Sequence, residues 1–584
     1  MSDIRGFFSK IGADMKKGFD SLIKSKPKIW REWTPELAQS FQAFYNGPVS
    51  TKASLARFQD ISTALGERCF HYNSPHDERQ GKIVLRRVLH RLVDLIRDFV
   101  KVHARNRLLV QETTLRALVR REFDLDCMQF RSGKYEPQCS EVVMSGIAEY
   151  RKILTEIFQV VAAQLNCADL EHSHRQFLVR LLAVCFLRMP NLQQKFVPFL
   201  SKHVIMQKTR LLEEKKAEAQ DGGHSHNGSV PDIYSVCDSV FSKQRRSFLA
   251  RTERQFEQRN PTIFKWDFFV NAFDEEIVDT AIKTHQHFIS RVFCNGLWVS
   301  TFFDEYVQQI RLAIETTATK PSHVAWHILP WYPLLVRHFC TVVQSFVIGL
   351  RKHEINLWDT PAPETDYEGT EMRIDNGQTT LRTMLQTVQT SLHNPSLLRI
   401  FVHAVLINTS VHDYPNMGRS LDWVASWSRT VALLSPGGLI PGGCLDIDTL
   451  IQAARVLLRN EYAIGVSHAL SFINSVVKFL NTRDRAALWS GTVLDPTPLV
   501  EQAWAHDGSQ KPVSNFARLL CNWNMQIRKM FAKTVVYHSF TINRRFLPVV
   551  SDRSLVEVPP PPPESMKVCP ACLLLSCARQ RTNT

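Results

Sequence analysis

The chain has 584 residues, of which 44% are hydrophobic and 22% charged, a composition typical of a globular protein with a large core. Its 13 cysteines are scattered and odd in number, which argues against a disulfide framework and indicates reduced thiols in the cytoplasm. The net charge is +15, and residues 1–121 hold 23 Lys+Arg against 12 Asp+Glu, so this basic end should attract a polyanion.

Residues 1–28 form a predicted basic amphipathic helix. Projected at about 100° per residue, its large apolar side chains share one sector of about 160°, and most of its lysines lie on the other side. Charged residues recur every few positions, so the segment lacks the continuous apolar core of a signal peptide. Large aromatics on one face and lysines on the other are typical of helices in a membrane interface. The side chains predicted to contact a membrane are Ile4, Phe7, Phe8, Ile11, Met15, Lys16, Lys17, Phe19, Leu22 and Ile23.

Two surfaces compete for this helix. One is the protein's own first helices, where Thr34 is expected to cap and Pro35 to occupy the first helical position. The other is an anionic bilayer, where each nearby lysine contributes about 1 kcal/mol. Trp30 and Trp33 would then lie at headgroup level. The basic flank favours the bilayer, whereas most amphipathic helices are core faces.

Helical periodicity dominates the sequence that follows. The segment 82–103 places Val84, Val88, Leu92, Leu95, Ile96 and Phe99 on one face. Segments 142–165 and 175–189 show the same period, and Met189 should end a helix because it precedes Pro190. Strand and hairpin patterns are nearly absent. Just before the helix at 175, His172 and His174 are expected to be solvated or capping residues.

Two polar segments are predicted to be disordered: a glycine-bearing linker at 217–231 and an acidic loop at 358–378. Together with the tail, they divide the chain into successive regions. These are an amino-terminal helix (1–28), a helical region (29–216), the linker (217–231), a second helical region (232–357), the acidic loop (358–378), a carboxy-terminal helical block (379–550) and a tail containing prolines and cysteines (551–584).

The second helical region holds two segments that could carry a function. The most apolar stretch, 333–350, contains Arg337, His338 and Gln344, so it is interpreted as a buried core helix and not a membrane span. The segment 242–259 is basic and includes Phe248 and Phe256. That pattern fits either a solvated helix face with two core phenylalanines or a surface that binds RNA.

The carboxy-terminal block consists of helices of 12 to 20 residues joined by short turns. Pro395 should start one helix, and Asp446 or Asp448 should cap another. The glycine-rich stretch SPGGLIPGG at 435–443 lacks the lysine and the preceding strand of a phosphate-binding loop, so a plain inter-helix loop is expected. The predicted fold is all-α, an irregular α-solenoid similar to HEAT or armadillo arrays, built from stacked helix pairs with disordered loops.

Residues 515–538 contain the pattern Leu519-x-x-x-Trp523-x-x-x-Ile527-Arg528-x-x-Phe531, followed by an apolar run and Tyr-His. This pattern resembles the closing segment of the domain of unknown function numbered seventeen sixty-five, found in fungal and amoebal proteins. Similar blocks lie at 327–335, around Asn394-Pro395 and at 466–480, so the resemblance covers about 320–540. It implies an α-helical fold in which Trp523, Arg528 and Phe531 are structural, and a role at membranes or as a signalling scaffold. It supplies no catalytic residues.

The tail offers two further features. Cys569, Cys572 and Cys577 form CPACLLLSC, an incomplete set for a closed zinc site. They could be lipidated, could borrow a ligand for a metal, or could be plain thiols. The five prolines Pro559–Pro563 favour a polyproline II helix, which serves either as a spacer or as a ligand for an SH3- or WW-type domain.

The sequence lacks the motifs of nucleophilic, metal-dependent and kinase active sites. We therefore predict no enzyme activity, no cofactor and no resident metal. The expected function is that of a helical scaffold or adaptor, cytoplasmic and peripherally bound to an anionic membrane surface. The alternative is a helical protein that binds RNA or another polyanion.

Overall fold

The computed structural model describes the following residues: 30–47, 52–66, 69–98, 102, 104–118, 120, 141–167, 170–189, 192–201, 205, 209, 213, 233–256, 275–285, 287–316, 326, 329, 331–352, 355, 377–410, 412–435, 437–459, 462–492 and 515–543. The predicted amino-terminal helix (1–28), the linker (217–231) and the tail (551–584) lie outside these residues, and so does the acidic loop up to residue 376. The predicted end of that loop at 378 is wrong, because a helix already begins at Gly377.

The described chain is almost entirely helical, which confirms the all-α prediction. Its first elements are β1 (Trp30–Glu32), α1 (Pro35–Asn46), α2 (Lys52–Leu65), β2 (Cys69–His71), α3 (Pro75–Arg97), α4 (Ala104–Leu118), α5 (Glu141–Leu165), α6 (His172–Arg188), α7 (192–201), α8 (Ile233–Phe256), α9 (Glu275–Thr284) and α10 (His287–Phe293). The later elements are α11 (Gly296–Thr316), α12 (Tyr332–Arg351), α13 (Gly377–Ser391), α14 (Leu397–Asn408), α15 (Tyr414–Leu434), α16 (Ile447–Arg459), α17 (Ala463–Val476), a 3-10 turn (Val477–Phe479), α18 (Thr482–Gly491), α19 (Asn515–Leu520) and α20 (Met525–Asn543).

The described residues divide into two compact units. The first lies within Met1–Phe199, Thr262–Cys294 and Pro363–Thr370, and the second within Leu200–Pro261, Asn295–Ala362 and Glu371–Thr584. This division crosses the predicted regions, because α9 and α10 belong to the first unit although the sequence placed them in the second helical region.

The first unit begins with an aromatic cluster that the sequence did not predict. Strands β1 and β2 pair in parallel, and the Trp33 amide donates to the His71 carbonyl at 2.9 Å. This pairing places the Trp33 side chain, 7% exposed, against Phe41 at 5.9 Å and Phe70 at 5.1 Å between ring centroids. The Arg120 guanidinium covers Phe70 at 3.9 Å from the ring centroid. Trp33 is therefore buried in the protein and does not lie at headgroup level, the position that the bilayer alternative gave it.

Helices α1 and α3 begin with the capping residues that elementary rules favour. Thr34 accepts a hydrogen bond from the Leu37 amide at 3.2 Å and Pro35 occupies the first helical position, as predicted. Ser74 plays the same role for α3. The predicted stripe of α3 is buried at Val84, Val88, Leu92 and Ile96, against α1 and α5 among others, whereas Leu95 is half-buried and Phe99 lies outside the described residues.

A second aromatic cluster explains why α10 belongs to the first unit. Phe196 of α7 lies 5.9 Å from Phe186 of α6, 5.9 Å from Phe288 and 5.7 Å from Phe293, measured between ring centroids. Phe288 also meets Phe158 of α5 at 6.1 Å. Rings from four helices thus share one buried volume, and α10 supplies two of them.

The second unit is built around α12. Its Phe339 ring lies 5.0 Å from Phe303 of α11 and 5.8 Å from Phe401 of α14, which in turn meets Trp427 of α15 at 6.1 Å. Among the described helices α12 alone is long and apolar enough to cross a membrane, yet 72% of that apolar stretch is buried inside the protein. It packs as the core helix that the sequence predicted.

Replacing Trp33 with alanine should lower the free energy of unfolding by about 3–5 kcal/mol, because a buried aromatic side chain leaves a cavity. Urea denaturation followed by circular dichroism measures this loss. Trp33→Phe is the matched control and should cost much less, since a ring still contacts Phe41 and Phe70. If Trp33→Ala left the free energy of unfolding unchanged and weakened vesicle binding, Trp33 would lie at the membrane interface, which would contradict its burial in the structure.

Candidate interaction surface

The closing motif of the carboxy-terminal block folds as α19, a tight turn and α20. In the turn, the Asn522 side chain accepts a hydrogen bond from the Asn524 amide at 2.9 Å. The Asn524 side chain accepts from the Gln526 amide at 2.9 Å and thereby caps α20. Trp523 lies between these two asparagines, so its backbone is held on both sides.

Helix α20 packs against α17 with the same chain direction. Ser467 contacts Met530 at 3.3 Å between the hydroxyl oxygen and the sulfur, and Asn474 donates to Thr534 at 2.9 Å. The amino-terminal ends of the two helices therefore lie at one edge of the unit. Arg518 fixes α19 at that edge by donating to the carbonyls of Leu458 and Arg459, at 2.9 and 3.0 Å.

Four large apolar side chains are exposed at this edge. Trp523 is 80% exposed, Tyr462 61%, Met525 58% and Ile464 50%. The Tyr462 ring also packs against Tyr414 of α15, at 5.5 Å between ring centroids. Single exposed apolar residues are common on protein surfaces, so four of them near the starts of two adjacent helices mark a candidate interaction site. We name these four residues, together with Arg528, Lys529 and Lys533, the Trp523 surface.

The charged side chains of α19 and α20 are all basic. Residues 515–543 contain Arg518, Arg528, Lys529 and Lys533 and no acidic residue. On α20, Lys529 and Lys533 continue the exposed line that begins at Met525, each one helical turn after the last. The opposite side of α20 buries Ile527, Phe531 and Thr534. The sequence places one acid, Glu461, next to Tyr462.

The structure separates the residues of the closing motif into two groups. Leu519 and Phe531 are completely buried, whereas Trp523 and Arg528 are exposed. Sequence reasoning named Trp523 and Arg528 only as members of the motif, and it missed Tyr462 and Ile464. The available signal was the pair of asparagines around Trp523, because Asn-Trp-Asn favours a turn over a continuous helix.

Two other blocks of the resemblance meet in the core of the second unit. Asn394, 1% exposed, donates to the Tyr332 hydroxyl at 3.3 Å and accepts from the Gln244 side chain at 2.9 Å. One buried amide thus connects α8, α12 and the turn before α14. That turn includes Pro395, and α14 itself begins at Leu397, two residues later than predicted.

The predicted loop and the predicted cap between α15 and α16 are both confirmed. The stretch 435–443 is an inter-helix loop between α15 and α16, as expected, and Gly437, Gly438 and Gly443 adopt positive φ there. Asp446 caps α16 by accepting from the Thr449 amide at 3.3 Å. The ten side chains from Ile4 to Ile23, the prolines Pro559–Pro563 and the cysteines Cys569, Cys572 and Cys577 lie outside the described residues.

His174 differs from its prediction as a solvated or capping residue. Its side chain is buried, 4% exposed, and Nε2 lies 2.9 Å from Gln164 Oε1. Gln164 in turn donates to the Ile96 carbonyl at 2.9 Å, so the pair connects α6, α5 and α3. Burial lowers the pKa of His174 to about 4, and the imidazole is therefore neutral at physiological pH.

Burial raises the pKa of three cysteine thiols. Burial raises the pKa of Cys185 and of Cys294 to about 12, and burial beside Cys237 raises the pKa of Cys340 well above its ordinary value. These thiols stay protonated at neutral pH, whereas thiolates are the nucleophiles and metal ligands. Within the described residues no group of three or more His, Cys, Asp or Glu side chains is arranged to hold a metal ion.

No protein-family model, curated protein or solved structure matches this chain. The resemblance at 320–540 stays a prediction.

The burial of His174 predicts that acid destabilises the first unit. The pKa is depressed in the folded state, so the stabilising effect is complete above the ordinary value of 6.5 and is lost as pH falls towards about 4. The loss should reach about 3 kcal/mol at about 1.4 kcal/mol per pKa unit.

Urea denaturation between about pH 7 and pH 4.5 measures this dependence. His174→Gln should flatten it, and the matched control His172→Gln, on the exposed side of the same helix, should not. An equal pH dependence in wild type and His174→Gln would contradict the assignment.

Proposed function

We propose that this protein is a non-enzymatic helical scaffold or adaptor that binds peripherally to the cytosolic face of a membrane through its amino-terminal segment. One observation carries the proposal: the sequence from Ile4 to Ile23 separates large apolar side chains from lysines. The basic excess in residues 1–121 supports it, because anionic lipid attracts such a flank.

We propose that the helices form an irregular α-solenoid of stacked pairs, similar to HEAT or armadillo arrays, and that this array is the scaffold. Contacts between helices one or two places apart in the chain support this arrangement: α14 packs against α15, α16 against α17, and α16 against α18. Such arrays present long surfaces on which partner proteins can bind side by side.

Polyanion binding is the second candidate function, and one observation favours it. Lys243, Arg245 and Arg246 on α8 are exposed, as the basic segment 242–259 suggested. Phosphate groups could contact these three side chains. The hydrogen bond from Gln244 to Asn394 shows that α8 also serves the core of the second unit.

Replacing Phe7 and Phe8 with aspartate should weaken binding to anionic vesicles by roughly a hundredfold, because two apolar side chains would no longer enter the bilayer. Vesicle flotation with phosphatidylcholine and phosphatidylserine measures the loss, and deletion of residues 1–28 should reproduce it. The matched control, Ser9→Asp with Ala13→Asp, adds the same charge on the polar side of the helix and should weaken binding less.

Thermal denaturation of the same variants distinguishes lipid from the protein's own core. A membrane helix should leave the melting temperature unchanged when Phe7 and Phe8 are replaced. A lower melting temperature with unchanged flotation would show that the segment packs against the protein and would contradict the proposal.

A further inference from the structure

The Trp523 surface combines an apolar tip with a cationic flank. The tip consists of Trp523 on the turn, Met525 at the start of α20, and Tyr462 and Ile464 at the start of α17, all at least half exposed. The flank consists of Arg528, Lys529 and Lys533 on α20, all exposed. The capped turn holds the backbone of Trp523 in place, so ordering this residue on binding costs little backbone entropy.

The charge and the side-chain types of this surface favour one class of partner. The absence of acidic residues from 515–543 favours an anionic partner. RNA bases could stack on Trp523 and Tyr462. Ile464 and Met525 are exposed aliphatic side chains, and base stacking does not remove them from water. An anionic bilayer uses every component, because tryptophan and tyrosine lie in its interface, aliphatic side chains enter the acyl region, and lysines meet the headgroups.

We infer that the Trp523 surface is a second membrane-contact site, in which the apolar tip inserts into an anionic bilayer and Lys529 and Lys533 bind lipid phosphate or carboxylate groups. This site extends the proposed function, but its own contacts are independent of the amino-terminal helix. Two contacts on one chain would bind the same bilayer with increased avidity.

The test uses the full-length protein and vesicles of phosphatidylcholine with or without phosphatidylserine. Trp523→Ser with Met525→Ser should weaken binding to the anionic vesicles by roughly tenfold. Lys529→Gln with Lys533→Gln should weaken it by roughly fivefold per lysine at low salt and have no effect on phosphatidylcholine alone. The matched control is Leu433→Ser, because Leu433 of α15 is 58% exposed, as Met525 is, and lies outside the surface.

The same substitutions are repeated in the variant that carries Phe7→Asp and Phe8→Asp. Trp523→Ser with Met525→Ser should weaken vesicle binding in that background too. The experiment therefore distinguishes a wrong assignment of the amino-terminal helix from a wrong assignment of the Trp523 surface. A second readout is quenching by lipid brominated near the headgroup. Wild type should lose more fluorescence on binding than Trp523→Phe, and the difference reports Trp523 in the bilayer interface.

Three outcomes would overturn the inference. The first is equal vesicle binding by wild type, the Trp523/Met525 variant and the Leu433 control. The second is a Trp523/Met525 variant that no longer binds a single-stranded RNA oligonucleotide, which the wild type binds, while its vesicle binding is unchanged. That result would assign the surface to nucleic acid. The third is a concentration-dependent dimer in sedimentation that only the Trp523/Met525 variant abolishes, with vesicle binding unchanged, which would assign it to a second copy of the chain.

Discussion

Helix α12 is apolar around most of its circumference, and such a helix is stable in water only when other helices cover it. The second unit meets this constraint with helices that come from both sides of α12 in the sequence. Helix α8 begins 99 positions before α12, and α14 follows α12 in the chain, yet both pack on it. The buried Asn394 completes the arrangement, because its amide hydrogen-bonds the buried Tyr332 hydroxyl of α12 and the half-buried Gln244 side chain of α8.

Local patterns predicted helices well and predicted long-range neighbours poorly. The stripe of α3, the cap at Thr34 and the loop at 435–443 depend on residues within a few positions of one another, and the sequence contains that information directly. Trp33 and His174 were misplaced because their environment comes from elsewhere in the chain. Trp33 is buried by a strand pair that joins residues nearly forty positions apart, and His174 is buried against Gln164 across the turn between α5 and α6.

The Trp523 surface shows the same limit at a candidate site. The spacing of Leu519, Trp523, Ile527 and Phe531 fits one face of a continuous helix, and on such a helix Trp523 would share the buried side. Asn522 and Asn524 instead bond to backbone amides and interrupt the helix, as short polar side chains do at caps and turns. The interruption keeps Leu519 and Phe531 in the core and leaves the largest side chain of the motif in solvent.

The aromatic cluster around Phe196 has a consequence for synthesis on the ribosome. Phe288 follows Phe196 by 92 positions, and the first unit needs both rings in one buried volume. At about 5–20 residues per second, the ribosome takes roughly 5–20 s to make the intervening chain. During that time Phe158, Phe186 and Phe196 lack the partners that α10 supplies, so the nascent first unit exposes an apolar surface that a chaperone can bind. A fragment that ends before residue 287 keeps that surface exposed permanently.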